Sequence, residues 1–143
     1  MILVVYGDHP GVGKDTAAAM LAEYGFQRVG FSDSLYQEVS EAYGVSEDIL
    51  RTRETKEVPT LLLATSRCQD EAFKEVIASL GLSPETPLSP RDVLRYWGTE
   101  YRRAQNEDYW VDRVEHKLRE GQSKAICLTD CRFVWRKDWE LFL

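Results

Sequence analysis

Three groups of residues in this sequence have the types and spacing to handle a phosphate. The first is PGVGKDT at residues 10–16, where Gly11, Val12 and Gly13 lead into Lys14, Asp15 and Thr16. Glycines let the backbone approach an anion closely, and turn and helix-terminal N–H groups can converge on it. A lysine then brings a mobile positive charge to the β- and γ-phosphates. The fit to G-x-x-x-x-G-K-[ST] is imperfect: Asp8 stands at the first glycine position and Thr16 comes one residue late. The second group is Arg91, Arg95, Gly98 and Arg102, which fall within roughly 60° of one another at ~100° per helical residue. Taken alone, that stripe is either a solvated charged face or an anion site. The interior glycine, which costs about 1 kcal/mol in a helix, favours the anion site, as does the fork geometry with which arginine grips phosphate. The third is Asp130, closing the apolar run KAICLTD. It is either a simple strand-to-loop turn or a carboxylate holding magnesium through water.

The elements that must position these residues can be read from the pattern. Ile2 to Tyr6 is a short apolar run suited to a strand buried on both faces of a parallel sheet. Residues 14–24 predict a helix closed by Gly25, and Gln27 to Phe31 a second strand ending at Ser32 and Asp33. Leu35, Val39, Ala42 and Tyr43 recur at helical spacing before Gly44. The stretch SEDILRTRETKEVP predicts a charged helix and turn. Residues 69–80 predict an amphipathic helix with Phe73, Val76, Ile77 and Leu80 inward. After a proline-rich loop, Ser89, Pro90 and Asp92 form a helix start whose buried side carries Val93, Leu94 and Trp97. Asn106 caps a further helix, with Glu107 and Asp108 in its first turn, Trp110, Val114 and Leu118 on its buried face and Gly121 at its end. KAICLTD then returns as a buried parallel strand, delivering Asp130 to the carboxyl edge of the sheet.

The whole chain narrows the classes. Its 143 residues fit one domain, and a net charge of −6 argues against a nucleic-acid partner bound by overall field. Cys68, Cys127 and Cys131 are odd in number and lack CxxC spacing, which predicts free thiols in a reducing cytosol. His9 and His116 form no metal constellation with them. The opening residues lack a signal-peptide pattern and no stretch approaches ~18 apolar residues, so a cytoplasmic protein with no membrane partner is expected.

Together these residues resemble the deoxynucleoside monophosphate kinases of bacteriophages, within the P-loop nucleoside monophosphate kinases. GKDTAA is similar to that family's phosphate loop, FSDSLYQ to its entry into the monophosphate-binding region and SPRDVLRYWGTEYRR to its arginine helix. YWV and TDCRF resemble its aromatic follow-up and its Asp-x-Arg strand end. The resemblance implies an α/β P-loop fold: a short parallel sheet of order 2-3-1, a helical acceptor-binding region over 34–121, and a strand with apolar tail over 122–143. ATP and Mg2+ are the implied cofactors. The loop residues Gly11 to Thr16 would hold the nucleotide phosphates, with Lys14 and Thr16 in contact, and Asp15, Thr16 and Asp130 would hold the metal through water. Asp33, Arg91, Arg95, Gly98, Glu100 and Trp110 would lie at or near the acceptor, while Lys14, Arg91 and Arg132 would stabilise the transferred phosphoryl group. The implied reaction moves the γ-phosphoryl of ATP to a deoxynucleoside 5′-monophosphate. It needs alignment and cations rather than a strong base, which accords with a sequence lacking a Ser/His/Asp or Cys/His signature.

Two departures open alternatives. Asp8 adds negative charge beside the phosphates, and only 11 residues follow Arg132, whereas that family continues into further strands and an adenine-holding loop. A shortened, weakly active nucleotide-binding module is therefore one alternative. A small kinase for dephospho-coenzyme A or a hydroxymethylated base in DNA is another. The tail VWRKDWELFL is expected either to fold back over the free edge of the first strand or to pair with a second copy in a homodimer.

Overall fold

Apolar runs that hydrogen-bond side by side build a parallel sheet from β1 (Ile2–Val4), β2 (Gln27–Gly30) and β3 (Ile126–Thr129). The computed structural model describes residues 1–5, 12–121 and 125–130. Gly11, Arg132 and the tail expected to cover the sheet edge lie outside the described residues. Strand order is β1-β3-β2, the 2-3-1 arrangement expected, with Leu3 opposite Cys127 and Gly30 opposite Thr129. The chain is thus α/β with a small parallel sheet.

It divides into two compact units. The first, residues 1–34 and 110–143, carries the sheet, α1 (Lys14–Glu23) and nearly all of α6 (Tyr109–Glu120). Helix α1 packs on β2 and β3, and α6, inside the expected helical region 34–121, contributes Val114 to a core with Val29, Ile126 and Leu128. Leu118 and Phe31 flank that core. All four residues of β3 are buried, as a central parallel strand should be. β1 corrects the expectation of burial on both faces. Among the described residues its one strand neighbour is β3, and Ile2, Leu3 and Val4 remain 39%, 37% and 41% exposed.

The second unit, residues 35–109, is helical. It contains most of α2 (Asp33–Tyr43), then α3 (Glu47–Arg51), α4 (Glu71–Ser79) and α5 (Pro90–Arg95). Caps fix the starts of three of these helices: Ser46 accepts from Asp48 N, Asp70 from Phe73 N, and Ser89 from Asp92 N. Ser89 also donates to the Asp92 carboxylate at 2.7 Å. The charged stretch after α3 winds through turns and two short 3-10 segments, Leu61–Leu63 and Thr65–Arg67. Phe73 is the centre of an aromatic cluster, 4.6 Å from Trp97, 5.6 Å from Tyr101 and 6.4 Å from Tyr43 between ring centroids. Leu80, expected to face inward, is the C-cap residue of α4 and is exposed. Asn106, expected to cap this helix, instead closes a turn by accepting from Asp108 N at 3.0 Å; Glu107 and Asp108 lie in that turn and the helix begins at Tyr109.

The largest departure from helical expectation lies after α5. Residues Tyr96–Arg103 form a π-helix, not a continuation of the α-helix. Residues five apart lie about 140° apart in an α-helix, whereas closure of i→i+5 hydrogen bonds returns them to nearly one face. Trp97 and Arg102 are five apart, and both donate to the same oxygen, Oε2 of Glu38, at 2.8 Å. The wide turn is what permits that convergence. The wheel that put Arg91, Arg95, Gly98 and Arg102 on one stripe therefore does not hold past Arg95.

Candidate functional site

In the first unit, three parallel strands bring their following residues to one sheet edge. The chain leaves β1 at Val5, β2 at Phe31 and β3 at Asp130, so Val5, the Ser32–Asp33 pair and Asp130 share the carboxyl edge. Gly13 is the N-cap of α1 with φ 91°, a left-handed conformation that glycine adopts without steric penalty. Lys14 follows, half-buried, while Val12, Asp15 and Thr16 are exposed.

The other side of this edge is polar and tied together. Asp33 Oδ2 accepts from Gly30 N at 2.8 Å and Ser32 Oγ donates to Asp130 Oδ2 at 2.7 Å. Arg28 bridges the two carboxylates, 3.3 Å from Asp33 and 3.7 Å from Asp130. Asp130 itself has φ 62°, uncommon for a residue with a side chain. Among the described residues, the buried hydroxyls of Ser34 and Thr129, next in sequence to Asp33 and Asp130, have no hydrogen-bond partner. Buried polar groups without partners are rare and costly, so these two are notable beside the tied carboxylates. Arg28 was missed from sequence; its one signal is a charge inside an otherwise strand-like run.

Among the described residues, no group of three or more His, Cys, Asp or Glu could hold a metal ion. Mg2+ is commonly held by only one or two carboxylates, with its own waters and substrate phosphates completing the shell. His116 is exposed and meets Glu120 at 3.1 Å.

The expected acceptor residues divide between the units: Asp33 and Trp110 belong to the first, Arg91, Arg95, Gly98 and Glu100 to the second. Trp110 is half-buried and Gly98 buried. Arg91 pairs with Glu57, and Arg95 lies 3.6 Å from Asp92 with its guanidinium 4.8 Å from the Tyr96 ring centroid. Both arginine side chains are 57% exposed. Glu100 keeps one buried carboxylate oxygen with no hydrogen-bond partner.

An open cleft of about 340 Å³ in the second unit is lined by Glu38, Glu41, Gln69, Asp70, Trp97 and Arg102, among others. Glu38 accepts from Trp97, Arg102 and the Tyr109 hydroxyl. Burial acts to lower the Arg102 pKa, but the hydrogen bond and charge of Glu38 outweigh it and raise the value. Tyr101 donates to Asp70 at 3.0 Å; burial first, then that carboxylate, raises its pKa. Glu38 gave no local signal, because its partners lie 59 to 71 residues away.

Two thiols are described, and both are free and buried: Cys68 in the helical unit and Cys127 within β3. No described helix is long and apolar enough to cross a membrane. No protein-family model, curated protein or solved structure matches the chain.

Proposed function

We propose that this chain is a P-loop phosphotransferase that moves the γ-phosphoryl of ATP to a deoxynucleoside 5′-monophosphate. The observation that carries the reading is the start of α1, left-handed Gly13 followed by half-buried Lys14, in the same unit as the tied carboxylates Asp33 and Asp130. Amides at the start of α1 and the Lys14 ammonium would hold the donor phosphates. Thr16, Asp15 and Asp130 would hold Mg2+ through water, and the bound ion would offset phosphate charge. An acceptor phosphate is already an anionic nucleophile, so the residues have to align and neutralise rather than remove a proton.

Release of ADP, measured in a coupled assay against a panel of deoxynucleoside monophosphates, tests this directly. Lys14→Ala is expected to lower turnover at least ~100-fold with the circular dichroism spectrum unchanged. Near-normal turnover in that variant would sink the reading.

A second reading is favoured by the arginine pairs. Arg91, Arg95 and Arg102 meet Glu57, Asp92 and Glu38, which supports a nucleotide-binding module without brisk turnover. ATP binding with no ADP release for any acceptor would select it. The exposed apolar residues of β1 support a homodimer formed through that edge. Light scattering of the full chain is expected to give twice the chain mass, and a monomer at micromolar concentration would refute it.

A further inference from the structure

Lys56 stands out among the basic residues of the helical unit. It is half-buried, and its Nζ donates to the hydroxyl of Tyr36 at 2.5 Å, a neutral partner where most of its neighbours have carboxylates. An ammonium has three N–H donors, so two remain for another group. The Tyr36 oxygen accepts from Lys56, which leaves the phenol proton free to be donated in turn.

The ring of Tyr36 is held from one face by Arg51, whose guanidinium carbon sits 4.0 Å from the ring centroid. Arg51 is itself fixed by Glu47 at 3.0 Å, so it positions the phenol. Arg91 enters the same neighbourhood through its backbone, Arg91 N donating to Lys56 O at 3.0 Å. Of the acidic groups on these segments, Glu47 is occupied by Arg51 and Glu57 by Arg91, while Glu54 is exposed.

We infer that Tyr36 and Lys56, with Arg51 positioning the ring, form a binding site for a phosphomonoester dianion. Two remaining ammonium donors and one phenol donor on a directly bonded pair suit an acceptor-rich, doubly charged group, and a phosphate monoester supplies both charge and oxygens. As the seat of the acceptor's phosphate, the site rests on the phosphotransferase reading; as an anion site it stands by itself.

The test titrates the full chain with inorganic phosphate, a deoxynucleoside monophosphate and the phosphate-free deoxynucleoside, using calorimetry at fixed ionic strength. Lys56→Met is expected to weaken phosphate and monophosphate binding about tenfold or more, and Tyr36→Phe about threefold or more. The deoxynucleoside should bind equally to wild type and variants. Arg53→Met, which removes an exposed charge in the same turn region, controls for overall field and should change little. Equal phosphate affinity in wild type and Lys56→Met, or an equal loss in Arg53→Met, overturns the inference. If Lys56→Met does not fold, Tyr36→Phe carries the test by the same criterion. Binding that depends on Lys56 without ADP release would leave this site standing and remove the kinase reading. ADP release indifferent to Lys56→Met would remove the site's role as the seat of the acceptor's phosphate and leave the kinase reading standing.

Discussion

Removing the Glu38 carboxylate is expected to destabilise the helical unit more than any other single surface-reaching change. Its side chain is 11% exposed and that of Arg102 22%, so the pair is largely shielded from water. Glu38→Ala strands three donors: Trp97 Nε1, Arg102 Nε and the Tyr109 hydroxyl. Breaking one partner of a mostly buried ion pair costs about 3–5 kcal/mol. Residual access of water to Arg102 puts the expectation at the lower end, about 3 kcal/mol. At roughly 2–4 °C per kcal/mol, the melting temperature should fall by about 6–12 °C. Glu38→Gln keeps an oxygen for Trp97 and Arg102 but loses the charge and turns the acceptor that faces the Tyr109 hydroxyl into an NH2 donor, so it should cost about 1–2 kcal/mol. Urea unfolding followed by far-ultraviolet circular dichroism gives both values. A cost for Glu38→Ala below 0.5 kcal/mol, the ordinary range for surface changes, would refute the claim that this carboxylate organises the π-helix.

Stability should be flat near neutral pH and fall in alkali. Burial raises the Cys68 and Cys127 pKa values above 9.0 and those of Tyr43 and Tyr101 above 10.0. A raised folded-state value means that the native state binds the proton more tightly. The associated stability is thus complete below about pH 9 and is lost as pH climbs through the folded values. Urea midpoints between pH 7 and 11, with tyrosinate absorbance, check this; a folded protein whose tyrosines all ionise together near pH 10 would contradict it. Gly30→Ala should loosen the β2–α2 turn by about 1–2 kcal/mol, since an added Cβ would stand 2.8 Å from Asp33 Oδ1 and 3.0 Å from Arg28 Nη2. An unchanged urea midpoint would mean that the Arg28–Asp33 pair contributes nothing to that turn.

The elements were legible where the signal was local. Ser89, Pro90 and Asp92 mark a helix start within four residues, and the structure begins α5 at Pro90. Gly25, Gly44 and Gly81 follow helices with positive φ, as their positions in the sequence suggest. The order of the sheet came from the family resemblance and not from the strands themselves, because three apolar runs joined by helical crossovers also admit the orders 1-2-3 and 2-1-3. Exposure of β1 was not readable from its residues. Ile2, Leu3 and Val4 are as apolar as the β3 run, and the difference between them is the number of neighbouring strands, a property of the assembled sheet.

The arginines show why charge is harder to read than periodicity. Counting residues at 3.6 per turn gave Arg91, Arg95 and Arg102 one face and one role, but the π-helix at Tyr96–Arg103 turns Arg102 towards Glu38, 64 residues earlier in the chain. Nothing within a helical window announces such a partner. The consequence for function is a shift in where anion-binding capacity resides: Arg102 is held by Glu38 between aromatic rings, with Tyr101 and Tyr109 at 4.5 and 5.0 Å. Arg91 is paired with Glu57. Lys56, which no repeat or motif singled out, instead offers two donors beside a phenol. An anion entering this unit would meet there an ammonium whose partner is a neutral phenol, and the arginine stripe would act more through its carboxylate partners than as a bare positive face.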